Sequence, residues 1–177
     1  MTQIPVITVG MAALIGLASA AHAQNGQGAD VPAAAVEFAV GRAEFLDDSA
    51  IPHAVFGGAA RWYVTPRIAL GPELTYMVGP RQDRDLIVTG NLTFDLRAPA
   101  TPASGRVEPY LVGGGGWFRH RNRFGTRTFV SDEGTVTGGG GVRVWLTRSV
   151  YAAADARIGW EPHVRVTAHV GIPLGRR

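Results

Sequence analysis

Hydrophobic and polar residues alternate along most of the chain. In the last segment, residues with polar or small side chains separate Val164, Val166, Ala168, Val170 and Ile172. A period of two residues puts each set on one face of a β-strand. Turn residues bound eight such segments, which lie near 34–46, 54–65, 67–78, 85–97, 107–119, 129–147, 149–161 and 163–174. The pattern therefore predicts an all-β fold of eight strands.

A short internal repeat supports this strand count. Residues 61–68 (Arg-Trp-Tyr-Val-Thr-Pro-Arg-Ile) align with residues 143–150 (Arg-Val-Trp-Leu-Thr-Arg-Ser-Val), and Glu73 then aligns with Asp155. Each copy is typical of a strand, a tight turn and a second strand. The alternation places the first arginine of each copy on the polar face, together with the acidic residue that follows it. The repeat therefore predicts two hairpins of one design.

The first part of the chain differs from the rest. Residues 6–21 are almost all apolar or small, and Ala21-His22-Ala23 precedes a polar stretch. This order is typical of a cleaved secretory signal peptide. The apolar run of about 16 residues is shorter than the roughly 20 residues that a membrane-spanning helix needs. We therefore predict a signal peptide at 1–23, a short polar mature N-terminus at 24–33 and a β-barrel at 34–177.

The composition excludes several classes of protein. Hydrophobic residues make up 46% of the chain and charged residues 18%, which is enough apolar surface to order it. The absence of cysteine excludes a disulfide scaffold, a thiolate nucleophile and a cysteine zinc site. All 17 basic residues are arginine and the formal charge is +3. Most of the arginines alternate with acids instead of forming a stripe, which argues against nucleic-acid binding.

Two barrel architectures share the alternation and differ in which face points outward. A soluble lipocalin-type barrel hides its apolar face around a ligand cavity, whereas an outer-membrane barrel turns that face toward lipid. Trp62, Tyr76, Phe94 and Trp160 lie on the apolar face near strand ends, where lipid-facing barrels carry aromatic girdles. A closed barrel also satisfies every backbone hydrogen bond inside lipid. The sequence therefore favours the membrane barrel.

The polar face carries charged residues of both signs among glycine, alanine and threonine. In a narrow barrel such residues can pair with one another in the lumen. We predict a structural charge network in the lumen, formed by Glu37, Arg61, Glu73, Asp95, Arg143, Asp155, Arg157 and Arg165. A gated ion path is the alternative role for the same residues.

The signal-peptide-like start, the eight alternating segments, the two repeated hairpins and the stretch Pro109-Tyr110-Leu111-Val112-Gly113-Gly114 together resemble a known family. They are similar to the small outer-membrane β-barrels of Gram-negative bacteria, such as the outer-membrane protein A transmembrane domain and outer-membrane protein X. The resemblance implies an eight-stranded antiparallel up-and-down transmembrane barrel, with both termini in the periplasm and the longer loops outside.

The same resemblance implies partners. These are the outer-membrane lipids and the barrel assembly machinery, and the implied state is a monomer. The chain departs from the family at residues 173–177, Pro-Leu-Gly-Arg-Arg. Members of the family usually end in an aromatic residue that the assembly machinery reads.

Two glycine runs, Gly113–Gly116 and Gly138–Gly141, lie on consecutive predicted strands. If they pair side by side, the hairpin turns near residue 127, and the glycines let a small barrel bend sharply. Short turns are expected at 65–67 and 147–149 and longer connections at 46–53, 79–84 and 120–128, so the two ends of the barrel should differ. The Pro/Ala-rich stretch 98–106 is an exception at the short-turn end. The loop at 120–128 is either a solvated charged loop or a contact for lipopolysaccharide phosphates or another polyanion. Its candidate contact residues are Arg119, Arg121, Arg123 and Arg127.

The histidines of the predicted mature chain, His53, His120, His163 and His169, follow no catalytic or metal-binding spacing. Val-Gly follows His169, so the His-x-Ser pattern of outer-membrane deacylases is absent. His163 and His169 lie about 20 Å apart along a strand and cannot share a metal ion. The His-x-x-x-His and Asp-rich calcium-loop spacings are also missing. We expect no catalytic centre, no metal site and no cofactor.

The sequence therefore favours a non-enzymatic protein of the Gram-negative outer membrane, exported through its signal peptide, with an envelope-structural or surface-contact role. Two alternatives come from the same residues. One is a narrow gated pore with an Arg–carboxylate lumen. The other is a soluble periplasmic lipocalin-like barrel that binds a ligand, although the Gly-x-Trp pattern is missing near the predicted mature start.

Overall fold

The computed structural model describes residues 31–46, 51–97, 105–160 and 162–175. The predicted signal peptide at 1–23 and residues 24–30 of the predicted polar segment lie outside the described residues. Within the described ranges, no helix is long and apolar enough to cross a bilayer. The one short helix among them is a 3-10 turn at Pro80–Gln82.

Eight antiparallel strands form a closed barrel in which each strand pairs with the next and the first pairs with the last. The strands are β1 Ala34–Phe45, β2 Ile51–Tyr63, β3 Ile68–Val78, β4 Arg84–Asp95, β5 Val107–Phe124, β6 Arg127–Trp145, β7 Tyr151–Gly159 and β8 His163–Leu174. The prediction of eight antiparallel up-and-down strands is confirmed. We call the end where β1 begins and β8 ends the termini end. At the opposite end β5 and β6 extend beyond the other strands as a two-stranded ribbon, and we call this the ribbon end.

The two faces of the barrel wall have opposite chemistry. Large apolar side chains are exposed on the outside of every strand, among them Phe38, Phe56, Leu74, Val88, Leu111, Val136, Ile158 and Val166. The alternate positions point inward and include charged residues such as Arg143, which is 1% exposed. A lipocalin-like barrel would place the apolar set inside, so that alternative is wrong for this chain.

The four aromatic residues expected in girdles lie near the ends of the barrel, whereas the outward Phe38 and Phe56 lie within β1 and β2. Trp62 and Phe94 are close to the termini end, at the last residues of β2 and β4. Tyr76 lies near the end of β3 at the ribbon end, and Trp160 directly follows β7 there. Tyr76 and Trp160 are exposed. This placement agrees with the two aromatic girdles expected for a lipid-facing surface.

The inside of the barrel is layered. Near the termini end, an apolar cluster contains Tyr110, Trp145 and Tyr151. Near the ribbon end, a second cluster is built around Phe45, Val55, Met77, Ile87 and Phe118 with Ala43. Most of the inward charged residues lie between the two clusters, because Glu37 is between Ala35 and Ala43 on β1 and Glu73 is between Ala69 and Met77 on β3.

The predicted loop at 120–128 is wrong, because β5 and β6 continue through it. They stay paired to Phe124 and Arg127, and only Gly125 and Thr126 form the turn. Gly125 has a φ of 58°, a backbone conformation that glycine adopts without strain. Both faces of this ribbon contact water, so the apolar–polar alternation disappears although the strands do not.

The glycine runs are offset from the predicted pairing. Gly113 pairs with Gly138, whereas the side-by-side arrangement would pair it with Gly141. A Cβ at Gly116 or Gly139 would lie 2.0 Å from a carbonyl oxygen of the neighbouring strand. These two glycines therefore let adjacent strands approach closely on the inside of a curved wall, which supports the structural interpretation of the runs.

The predicted longer connections at the ribbon end are wrong, whereas the connection that contains the exception at 98–106 is the longest of the barrel. At the ribbon end the strands are joined by residues 46–50, 79–83, 125–126 and 160–162. At the termini end they are joined by residues 64–67, 96–106 and 146–150. The extra length at the ribbon end lies in the paired strands β5 and β6 and not in the connections.

Candidate functional site

An ion-pair cluster fills the middle of the barrel. Glu73 on β3 lies between two guanidinium groups, Arg157 on β7 and Arg165 on β8. Arg157 Nη1 is 2.9 Å from Glu73 Oε2, and its Nη2 is 2.8 Å from Asp155 Oδ2. β3 lies across the lumen from β7 and β8, so the two pairs of Glu73 connect different walls, whereas Asp155 and Arg157 pair along β7. We call Glu73, Asp155, Arg157 and Arg165 the central cluster.

Neighbouring side chains donate further hydrogen bonds to the two central carboxylates. Asn91 Nδ2 donates to Glu73 at 3.0 Å, and the Thr75 hydroxyl donates to it at 3.2 Å. Thr167 donates to Asp155 at 2.7 Å, and the Tyr110 hydroxyl donates to it at 3.1 Å. A buried charge is tolerated when it is both paired and hydrogen-bonded. Both central carboxylates meet this condition.

A second group of ion pairs lies toward the termini end. Arg61 Nη2 is 2.7 Å from Glu37, which also accepts a hydrogen bond from the Tyr151 hydroxyl at 2.7 Å. Arg143 Nη1 lies 3.3 Å from both Asp95 and Glu108. The guanidinium of Arg143 also lies over the ring of Tyr151 at 5.0 Å, a cation–π distance.

The structure places all eight predicted lumen residues inside the barrel and each of them in at least one ion pair. Glu108 belongs to the same network and was missed. It has the inward phase of β5, two residues before Tyr110, and this phase was the signal that could have identified it.

Small cavities remain beside these pairs. One is lined by Ala39, Gly57, Thr75 and Arg165, and another by Arg61, Pro72, Asn91 and Thr93, with Glu73 in both linings. Each has a volume of about 10 Å³. A space of this size holds about one water molecule. At these points the lumen has no room for a hydrated ion.

His169 brings an imidazole, a hydroxyl and a carboxylate together in the lumen. Its Nε2 lies 3.0 Å from the Thr167 hydroxyl and 3.4 Å from Asp155 Oδ2. A catalytic triad uses the two ring nitrogens separately, one for the hydroxyl and one for the carboxylate. Here Nε2 contacts both groups, and Nδ1 lies 3.8 Å from Glu37 Oε2, which is too far for a hydrogen bond. No carboxylate of the described residues therefore orients the ring through its second nitrogen, as a triad requires.

A second cluster of ionisable side chains, separate from the lumen ion pairs, lies at the ribbon end and was not predicted from the sequence. We call it the rim cluster: His53 on β2, Asp83 after the 3-10 turn, Asp85 on β4 and His120 on β5. His53 Nε2 is 3.2 Å from Asp83 Oδ2 and 3.3 Å from Asp85 Oδ2. His120 Nδ1 is 2.7 Å from Asp85 Oδ1. His53, Asp83 and Asp85 are buried and His120 is half-buried.

The spacing of these residues in the sequence hides the rim cluster, because 30 residues separate His53 from Asp83 and 35 separate Asp85 from His120. One signal was available. Asp83 and Asp85 alternate at the start of a strand, and the register of an up-and-down barrel brings the start of β4 next to the outer part of β5.

The four predicted contact arginines lie on the ribbon. Arg119, Arg121 and Arg123 follow Trp117 at every second residue on the outward face of β5, and Arg127 begins β6. Arg119 makes two hydrogen bonds to Asp132, at 2.9 and 3.0 Å, and its guanidinium lies 5.2 Å from the Trp117 ring. The three arginines of β5 therefore share one side of the ribbon, and Arg127 points to the other.

A closed antiparallel barrel with an ionic interior and an apolar exterior is the architecture of membrane-spanning β-barrels. Comparison with solved structures identifies the same fold in known outer-membrane barrels. The chain has the fold of the small eight-stranded outer-membrane barrels, as three solved structures show. The sequence matches no family model and no curated protein.

The first similar structure is the N-terminal β-barrel domain of Pseudomonas aeruginosa OprF, with 14% identity and a TM-score of 0.61, covering 82% of this chain and 98% of that one. Neisserial surface protein A has 13% identity and a TM-score of 0.69, covering 80% and 97%. Ail, the attachment invasion locus protein of Yersinia pestis, has 11% identity and a TM-score of 0.54, covering 82% and 97%.

Proposed function

We propose that the protein is a non-enzymatic, monomeric barrel of the outer membrane of a Gram-negative bacterium, with a role in envelope structure or surface contact. In this proposal the signal peptide at 1–23 exports the chain and the barrel assembly machinery inserts it. One observation carries the proposal: paired charges fill the inside of the wall, while an apolar belt covers the outside. Lipid is the solvent that this distribution fits.

The central cluster favours a scaffold over an open pore. Ions would have to pass Glu73, Arg157 and Arg165, which connect opposite walls of the lumen. The cavities beside them hold about one water molecule each. Conduction would therefore require these buried ion pairs to break, and breaking such a pair costs about 3–5 kcal/mol.

Migration on a denaturing gel and conductance test the proposal. The extracted protein should sit in the outer-membrane fraction and should migrate differently before and after boiling, because an intact barrel resists detergent. In planar bilayers it should give no conductance above that of the lipid. Recovery of the mature chain in the soluble periplasmic fraction would contradict the membrane proposal, and steady single-channel currents would support the pore instead.

The ribbon supplies the surface contact. Trp117 marks the aromatic interface, and the strand rises about 7 Å for every two residues beyond it. Arg119, Arg121 and Arg123 therefore follow one another outward from Trp117, at about 7, 14 and 21 Å along the strand, and can contact phosphates at different depths of a lipopolysaccharide layer. Arg119 is already paired with Asp132, so Arg121 and Arg123 are the guanidinium groups that we assign to lipopolysaccharide phosphates.

Binding of the folded barrel to lipopolysaccharide tests this contact. Replacing Arg121 and Arg123 by alanine should weaken binding and reduce its dependence on salt. The matched control replaces Arg67 and Arg148, two exposed arginines in turns at the termini end, and should leave binding unchanged. Equal losses in both double variants would show that net charge, and not the ribbon, determines binding.

A further inference from the structure

The rim cluster contains two carboxylates that no arginine of the described structure neutralises. Arg84 is the neighbouring guanidinium, but its Nη1 donates to the backbone oxygens of Gly79 and Asp83. Asp83 Oδ1 and Asp85 Oδ2 accept no hydrogen bond from the described residues. The Asp83 and Asp85 side chains are only 10% and 0% exposed. Buried carboxylate oxygens without a donor are completed by an ordered water or by a bound cation.

The orientation of His53 shows where that cation would lie. Its Nδ1 is 3.1 Å from the backbone oxygen of Ile51, and a carbonyl oxygen only accepts, so Nδ1 carries a hydrogen. Without an ion, Nε2 is within hydrogen-bonding distance of Asp83 Oδ2, and it is the ring nitrogen that remains available to a metal ion. This atom faces Asp83 Oδ2 at 3.2 Å and Asp85 Oδ2 at 3.3 Å. Three electron-pair donors therefore point toward one another.

These separations fit a tetrahedral ion. Ligand atoms at about 2.0–2.1 Å from Zn²⁺ lie about 3.3–3.4 Å from each other at the corners of a tetrahedron. The two distances from His53 Nε2, 3.2 and 3.3 Å, are close to this value. The ligand atoms of His53, Asp83 and Asp85 all lie within 4.8 Å of one another.

The surrounding residues hold the ligands in place. The Phe45 ring contacts the His53 ring edge-to-face, with centroids 5.0 Å apart. A Cβ at residue 79 would lie 2.3 Å from His53 Nε2, so Gly79 leaves the space that the imidazole uses. His120 Nδ1 lies 2.7 Å from Asp85 Oδ1 and orients the carboxylate whose other oxygen faces His53. Such supporting contacts are typical of metal sites.

We propose that the rim cluster binds one divalent transition-metal ion of the Zn²⁺ class. His53 Nε2, Asp83 and Asp85 are its protein ligands, water fills the fourth position, and His120 is a positioning residue for Asp85. One nitrogen and two carboxylate ligands form a set that Zn²⁺ accepts. The ion would tie the β3–β4 connection to β2, and this assignment does not depend on the membrane location of the barrel.

Zn²⁺ and Co²⁺ titrations of the folded, chelator-treated barrel in detergent test the proposal. We expect one ion per chain, a Co²⁺ absorption spectrum typical of tetrahedral coordination, and no comparable binding of Mg²⁺. Asp85→Asn and His53→Gln each remove a ligand and should weaken binding by more than the roughly 10–100-fold that is typical when a residue supporting a ligand is changed. Asp132→Asn, an exposed acid at the same end, is the matched control and should bind as the wild type.

His120→Ala should weaken binding less than the ligand variants and should change the Co²⁺ spectrum, which a purely structural residue would not do. Heat-modifiable migration shows whether each variant has folded. X-ray absorption of the Zn²⁺-loaded wild type needs no variant and should show imidazole and carboxylate ligands. Absence of stoichiometric binding, unchanged affinity in folded Asp85→Asn, or a shell without imidazole would each overturn the proposal.

Discussion

The central cluster and the rim cluster place buried carboxylates in opposite electrostatic environments. In the centre, Glu73 and Asp155 contact the guanidinium groups of Arg157 and Arg165 and also receive hydrogen bonds from neutral side chains. At the rim, Asp83 and Asp85 contact only imidazoles among the described ionisable groups.

The position of a carboxylate along the lumen determines which group can neutralise its charge. An acid between two apolar clusters has no access to dissolved ions, so the chain itself must provide the opposite charge. The acids at the rim are also buried, but the adjoining His120 side chain is 36% exposed, so only a short path separates them from solvent ions. The rim can therefore keep carboxylates that a bound cation neutralises, and the centre cannot.

Removing a central acid gives the largest expected effect. Glu73→Ala leaves Arg157 and Arg165 without their shared carboxylate. We expect a loss of about 3–5 kcal/mol in the free energy of unfolding, measured by urea titration in lipid vesicles. Glu133→Ala removes an exposed acid of the ribbon and should change stability little. A stable Glu73→Ala barrel would mean that this acid is solvated.

On β8, a guanidinium is tolerated on the inward face but should destabilise the barrel on the outward face. Arg165 points inward, and Val166 is 55% exposed on the outside. Val166→Arg should cost about 2–4 kcal/mol if this residue faces mid-bilayer lipid. Val130→Arg is the matched control, because Val130 lies on the ribbon beyond the barrel wall, and its cost should be near zero. Equal costs would count against the assigned lipid face.

The same substitution in the two clusters compares them directly. Asp155→Asn removes the partner of Arg157 and should destabilise strongly. Asp85→Asn, in the presence of a chelator, should change stability by no more than about 1 kcal/mol, the net value of one hydrogen bond. Urea titration of both variants measures the difference. If the two losses were equal, the rim carboxylate would have a compensating charge in the metal-free protein.

The smallest effect is expected on the ribbon. Arg119→Ala breaks the exposed pair with Asp132, and such pairs are typically worth about 0.2–1 kcal/mol. The loss should shrink further at high salt, because exposed charges are screened. A large and salt-independent loss would show that the pair supports the barrel wall.

Alternation along the chain was sufficient to predict the barrel wall. It identified all eight strands and the inward phase of charged residues such as Glu37 and Arg165, because burying one face in lipid and the other in the lumen fixes a period of two. The alternation did not predict the strands beyond the barrel wall, where neither face is buried. The ribbon is wet on both sides, so its strands have no apolar phase and were predicted to be a loop.

The rim cluster could not be predicted without knowing which residues of neighbouring strands pair. His53, Asp83 and His120 come from separate strands and connections, and no local motif joins them. The glycine offset has the same origin: composition shows that Gly113 and Gly138 lie in similar runs, but the two-residue turn at Gly125 determines which residues pair. The alternation of apolar and polar residues shows which face a residue lies on, but it does not show which residue of the next strand it pairs with.

A membrane-spanning barrel must have its outward face in lipid, and this chain allows a direct test because it contains no cysteine. A single cysteine at Val166, labelled with a fluorophore, can be reconstituted in vesicles with brominated acyl chains. A label on Arg148→Cys, in an exposed turn, is the control. We predict strong quenching at residue 166 by the brominated lipid and none by aqueous iodide. Quenching of the residue 166 label by iodide, with no effect of the lipid, would contradict the account.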